Sequence, residues 1–251
     1  MGFQTKEVEA RAKTKGSAKT KIEIDVCQKN DTTIQKRLKL RHVSYSELKN
    51  WDYCSFYHKL VHIDKLKGFK GNEYTAFGNA VHETCEKMLL DDQIEAADHF
   101  LKSYKNVLKE LAADNYEFNK KLVLDMKDQG LGLLPHVIPA LEGYFGNFEV
   151  IATEEMLYEP IKIEDFNFKG YIDLVLKTED GRYHVIDWKT CSWGWNARRK
   201  NDKMTTYQLV FYKHFFAAKH NIDPELVDVH FGLLKRTAKK NEVELFKVSS
   251  G

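Results

Sequence analysis

Three charged residues interrupt apolar stretches in the second half of this chain, and their types suit phosphodiester chemistry. Asp187 and Lys189 follow the run Tyr183-His184-Val185-Ile186, while Asp173 stands between Gly170-Tyr171-Ile172 and Leu174-Val175-Leu176. Side chains alternate across a strand, so Asp187 and Lys189 share one face and Ile186 and Trp188 take the other. An Asp-x-Lys pair alone amounts to an ion pair at a strand end. The turn Glu179-Asp180-Gly181 changes that reading, because a hairpin centred near residue 180 places Asp173 and Asp187 equally far from the turn, as cross-strand neighbours. Like charges facing each other destabilise a sheet unless a cation lies between them. Hard oxygen donors with no cysteine or histidine cluster beside them suit Mg²⁺ or Mn²⁺ better than Zn²⁺. Such an ion can activate a water, with Lys189 orienting that water and compensating transition-state charge, and the reaction class is phosphodiester hydrolysis.

The elements that must position these residues follow from periodicity. Residues 1–40 are rich in Lys, Thr, Gln and Glu and read as a mobile arm, with at most a short strand around Ile22 to Val26. The folded part, 41–251, divides into a helical portion (41–147) and a sheet core (148–251). Ser44 or Ser46 can cap the first helix, and Val81, Cys85, Met88 and Leu89 mark an amphipathic one. Residues 93–127 read as continuous helix, broken by Gly130, Gly132 and Pro135 before a helix from His136 to about Phe145. From Phe148 the period becomes two, with strands at 149–158, 166–177 and 183–189, a helix over 203–220, then strands at 227–234 and 242–248. This order gives an α/β fold with a mixed sheet flanked by helices.

Composition narrows the setting. The chain has 251 residues and a formal charge of +2, so nucleic acid would have to be met by local clusters rather than by the net balance: Lys65, Lys67 and Lys70; Arg198, Arg199, Lys200 and Lys203; and Lys235, Arg236, Lys239 and Lys240. Cys27, Cys54, Cys85 and Cys191 form no CxxC pair, and no apolar run approaches the roughly 20 residues of a membrane span, which points to a soluble protein of the reducing cytoplasm.

Taken together, Gly170-x-x-Asp173, Asp187-x-Lys189 and the helix bearing Gln208 to Tyr212 resemble the RecB-like branch of the PD-(D/E)XK nuclease superfamily. Gly78-x-x-x-His82, preceded by Ser44, Ser46, Leu48, Trp51 and Cys54, extends the resemblance to residues 43–248. It implies a restriction-endonuclease-like sheet and an Mg²⁺- or Mn²⁺-dependent deoxyribonuclease, an exonuclease sooner than an endonuclease, of the kind phages use in DNA replication, recombination or repair. It also implies that His82, Asp173, Asp187 and the Trp188 carbonyl hold the metal, that Lys189 assists catalysis, and that Gln208 and Tyr212 line the site or touch DNA. Glu154 or Glu155 could support the metal or Lys189, and Arg198, Arg199, Lys235 and Arg236 are candidate DNA contacts. No cysteine follows Cys191, which departs from the iron–sulfur relatives, so no cluster is expected and Cys54 is expected as a small buried residue. The alternative is a catalytically inactive module that binds DNA or protein on the same fold.

Overall fold

The computed structural model describes residues 41–66, 68–91, 93–162 and 166–249. The arm expected at 1–40, with its short strand, Lys67 and Cys27 lie outside them. Strand β1 (Arg41–Ser44) leads into helices α1 (Tyr45–Tyr53) and α2 (Ser55–His58), followed by α3 (Glu73–Leu90), α4 (Ala96–Ala113), α5 (Lys120–Leu133) and α6 (Val137–Phe145). The sheet portion adds β2 (Phe148–Pro160), β3 (Phe166–Thr178), β4 (Tyr183–Cys191), the short α7 (Ala197–Lys200), α8 (Lys203–His220), β5 (Val227–Lys235) and β6 (Val243–Val248). Residues 43–159 and 168–251 belong to one compact unit. Of the described residues, Arg41, His42, 160–162, Phe166 and Asn167 fall in the other, where the Ile161 amide donates to the Phe166 carbonyl (2.9 Å).

The six strands form one mixed sheet in the order β1-β3-β4-β5-β6, with β2 also on β3. β3 and β4 are antiparallel, β4 and β5 parallel, and β5 and β6 antiparallel. On one face, Leu174, Leu176, Ile186, Trp188 and Leu234 join Phe77, Val81, Cys85, Phe100 and Met126 of the helical portion in a single buried cluster. Against the sheet's other residues packs α8, with the Phe215 ring stacked on Phe168 at 4.3 Å. Trp188 has room only because position 232 is glycine: a Cβ there would stand 2.2 Å from the indole.

Local chemistry explains the helix starts. Ser44 accepts from the Glu47 amide (3.2 Å), Asn72 and Thr75 form a reciprocal capping box, and Asp202 accepts from the Thr205 amide. The region read as one helix over 93–127 is two. Asn115 turns left-handed (φ 60°) after α4, and Asn119 caps α5 by accepting from the Leu122 amide. Nor do Gly130 and Gly132 break the run, since both lie inside α5. A Cβ at Gly130 would stand 2.2 Å from the Phe100 ring, so this glycine serves close helix packing rather than termination. Cys54 is exposed, not buried, because it sits at the joint between two short surface helices.

Candidate active site

The β3–β4 register runs from Lys177 opposite Tyr183 to Leu174 opposite Ile186. Asp173 and Asp187 come next, at the end of that ladder. There the Asp173 carboxylate accepts from the Trp188 backbone amide (2.6 Å), so a side chain takes the donor of the neighbouring strand. Asp187 is 2 % exposed. Its Oδ1 accepts from Gln208 Nε2 (2.9 Å), and the same amide group lies 3.0 Å from the Tyr212 hydroxyl. Its Oδ2 stands 2.5 Å from Lys189 Nζ as an ion pair, without a hydrogen-bond partner in good alignment. Tyr212 itself lies where Gly170 leaves space, since a Cβ on Gly170 would come within 2.8 Å of the tyrosine ring.

His82 reaches this group from α3. The buried stripe Phe77, Val81 and Cys85 fixes the helix against the core, and His82 Nδ1 lies 3.7 Å from Asp173 Oδ2. Burial and the Lys189 charge lower the His82 pKa to about 4, so its ring is neutral at pH 7. Burial and the charge of Asp187 raise Asp173 well above the usual carboxylate range, against the opposing pull of Lys189 and the Trp188 amide. Burial likewise raises Asp187. Burial alone would lower Lys189, but Asp187 and Asp173 together push it up.

Of the two glutamates expected as supports, Glu154 lies near Asp187, and Glu86 joins the group in a way the pattern did not announce. Glu154 adopts φ 47° within β2, and burial, then Glu86 and Asp187, raise its pKa. Glu86 lies one helical turn beyond His82, a spacing that could have flagged it, and its carboxylate accepts from Thr153 (3.4 Å). Glu155 is turned elsewhere, paired with Lys219 (2.7 Å) and His220 (2.5 Å). Of the basic candidates, Arg199 stacks on Trp195 (4.4 Å) and adds positive potential at Lys189, while Arg198 is exposed in the same turn. Lys235 is buried and paired with Glu244 (3.2 Å), because β5 is interior along its length and Glu244 stands across the β5–β6 ladder. Arg236 is half-buried beside Tyr74.

Buried Asp187 and half-buried Asp173 share a single lysine, and with the neutral His82 imidazole they make a donor set of hard oxygens and one nitrogen of the kinds that Mg²⁺ or Mn²⁺ takes. Among the described residues, no three His, Cys, Asp or Glu side chains converge on one coordination point. Each acid is drawn instead to a protein partner: Asp173 to the Trp188 amide, Asp187 to Gln208 and Lys189.

Residues 42–248 match the PD-(D/E)XK nuclease superfamily. The chain belongs to that superfamily. Nuclease action on DNA is therefore its family's chemistry, generally with divalent metals such as Mg²⁺. The fold is similar to the crystal structure of a protein named "Putative exonuclease" from Eubacterium rectale, with a TM-score of 0.53 at 10% identity over 83% of this chain and 73% of that one. A protein named SSO0001 is also similar, with a TM-score of 0.31 at 16% identity over 70% of this chain and 78% of that one. No curated protein matches the sequence. Among the described residues of this nuclease-family chain, no helix is long and apolar enough to cross a membrane.

Proposed function

We propose that the chain is a metal-dependent deoxyribonuclease of the RecB-like kind, with Asp173, Asp187 and Lys189 at its catalytic centre, and that it acts as an exonuclease in phage-type DNA replication, recombination or repair. The observation that carries this reading is the meeting of a buried and a half-buried carboxylate, a neutral imidazole and a lysine at the end of one hairpin. In it, Asp173, Asp187, His82 and the Trp188 carbonyl would hold Mg²⁺ or Mn²⁺. When bound, that ion supplies Lewis acidity toward the phosphodiester. Gln208 fixes the Asp187 carboxylate, and Tyr212 backs Gln208. Lys189, kept charged by both acids, places a positive group where negative charge develops on the phosphate. Glu154 adds negative charge near Asp187.

A cleavage assay on end-labelled linear, circular and single-stranded DNA tests this proposal. Linear DNA should be shortened from its ends in Mg²⁺ or Mn²⁺, with circles left intact and Ca²⁺ giving no turnover. Cut circles would overturn the exonuclease assignment, and no cleavage of any substrate would overturn the enzymatic one.

A further inference from the structure

The helix that carries His82 presents a second line of residues beside its buried stripe. Tyr74, Gly78, His82 and Glu86 recur every four positions and so lie along one side of α3. His82 stands at Asp173. A Cβ on Gly78 would lie 3.4 Å from the Thr190 hydroxyl, next to Lys189, so the line follows the end of β4. Tyr74, 51 % exposed, lies eight residues before His82, roughly 12 Å along the helix.

At Tyr74 the line meets an anchored cation. Arg236 Nη1 donates to Gln129 Oε1 (2.6 Å), Nη2 donates to Ser192 Oγ (2.9 Å), and Cζ lies 5.5 Å from the Tyr74 ring centroid. The Arg236 amide also donates to the Cys191 carbonyl, which ties the end of β5 to the end of β4. All these partners are neutral, and among the described residues no carboxylate pairs with Arg236. Next to Ser192 stands Trp193, 77 % exposed. A guanidinium held in place with no carboxylate partner suits a phosphate, and the exposed Trp193 ring, with the part of the Tyr74 ring that Arg236 does not cover, suits unstacked bases. In a duplex the base faces are already stacked and cannot use these rings.

We propose that Tyr74, Trp193 and Arg236 form a subsite for single-stranded nucleic acid, which takes bases on the two rings and a phosphate on the guanidinium, a few nucleotides from the candidate catalytic carboxylates. The span follows from the roughly 12 Å along α3 against a stacked rise of about 3.4 Å per nucleotide. The subsite rests on the nuclease reading for its role but not for its binding, so the two can be tested apart. Fluorescence anisotropy of a labelled oligothymidylate and of a duplex of equal length, with the full chain in chelator, reads the affinity. Tyr74→Ala and Trp193→Ala should each weaken single-strand binding at least about fivefold and leave duplex binding within about twofold, while Tyr74→Phe keeps it. Arg236→Ala should weaken single-strand binding as well, and Arg236→Lys should restore part of it. Equal losses on both substrates, unchanged binding in the aromatic variants, or no single-strand binding by the unaltered chain overturns the subsite. Cleavage of the same oligonucleotide in Mn²⁺ is scored separately: a chain that binds through these residues and cuts nothing keeps the subsite and loses the nuclease reading.

Discussion

Asp187 is held on both sides, by the Gln208 amide at one oxygen and the Lys189 ammonium at the other. Replacing Gln208 with Leu removes a donor from a buried carboxylate, and a loss of roughly tenfold in kcat is expected, with the fold intact by circular dichroism. An unchanged kcat would mean that Gln208 does not position the acid. Lys189→Ala should cost roughly a hundredfold or more, because the lysine acts where transition-state charge appears. Near-normal turnover in that variant would exclude the role assigned to it. The grouping of Asp173, Asp187 and Lys189 was legible because hairpin register and strand alternation are local rules. Glu86 was not, since it depends on how α3 docks on β2, and the choice between Glu154 and Glu155 was left open because it rests on a left-handed residue inside a strand. Lys235 read as an open base because its neighbour across β5–β6, Glu244, is set by tertiary pairing.

Among the elements, β4 and β5 meet through a contact that only glycine permits. Gly232→Ala would drive a methyl into the Trp188 ring, with 2.2 Å available, and should destabilise the protein by about 1–3 kcal/mol or more. Chemical denaturation reads this as a lower midpoint; an unchanged midpoint would mean the indole moves aside freely. Strands β2 to β6 and α8 were legible to within a few residues, because alternating and near-continuous apolar runs leave few choices, whereas β1, only Arg41–Ser44, is too short to show a period and was not. The helices from 93 to 133 were less so. Asp114 to Asn119 carries no proline or glycine, so the stop made by Asn115 and the start made by Asn119 rest on polar side chains that also occur within helices. Gly130 and Gly132 look like breakers, yet at Gly130 it is the neighbouring Phe100 that demands the missing side chain.

For the molecule as a whole, a buried histidine pair links stability to pH. His184 Nδ1 and His230 Nε2 lie 3.1 Å apart, with the Phe145 ring against both. Burial, then His184, lowers the His230 pKa to about 3, against the opposing charge of Asp228, and burial lowers His184 too. In the unfolded chain both take up protons below about pH 6.5, so their contribution is present above that pH and is lost as pH falls toward the folded values. His230 alone should cost about 2 kcal/mol at pH 5 relative to neutral pH. Thermal melts at pH 7.5 and 5 should show the drop, with a smaller pH dependence in His230→Leu; equal dependence would remove the pair from the account. The same fold that buries these histidines gathers the acids at the far end of β4, and the account stands or falls there. Cleavage of end-labelled DNA by the unaltered chain and by Asp187→Asn, each with Mn²⁺, with chelator and with Mn²⁺ restored, is the most direct measurement. The unaltered chain should cut only with the metal and recover when it returns, and Asp187→Asn should be slower by roughly a hundredfold or more; cutting in chelator, or full activity in Asp187→Asn, would contradict it.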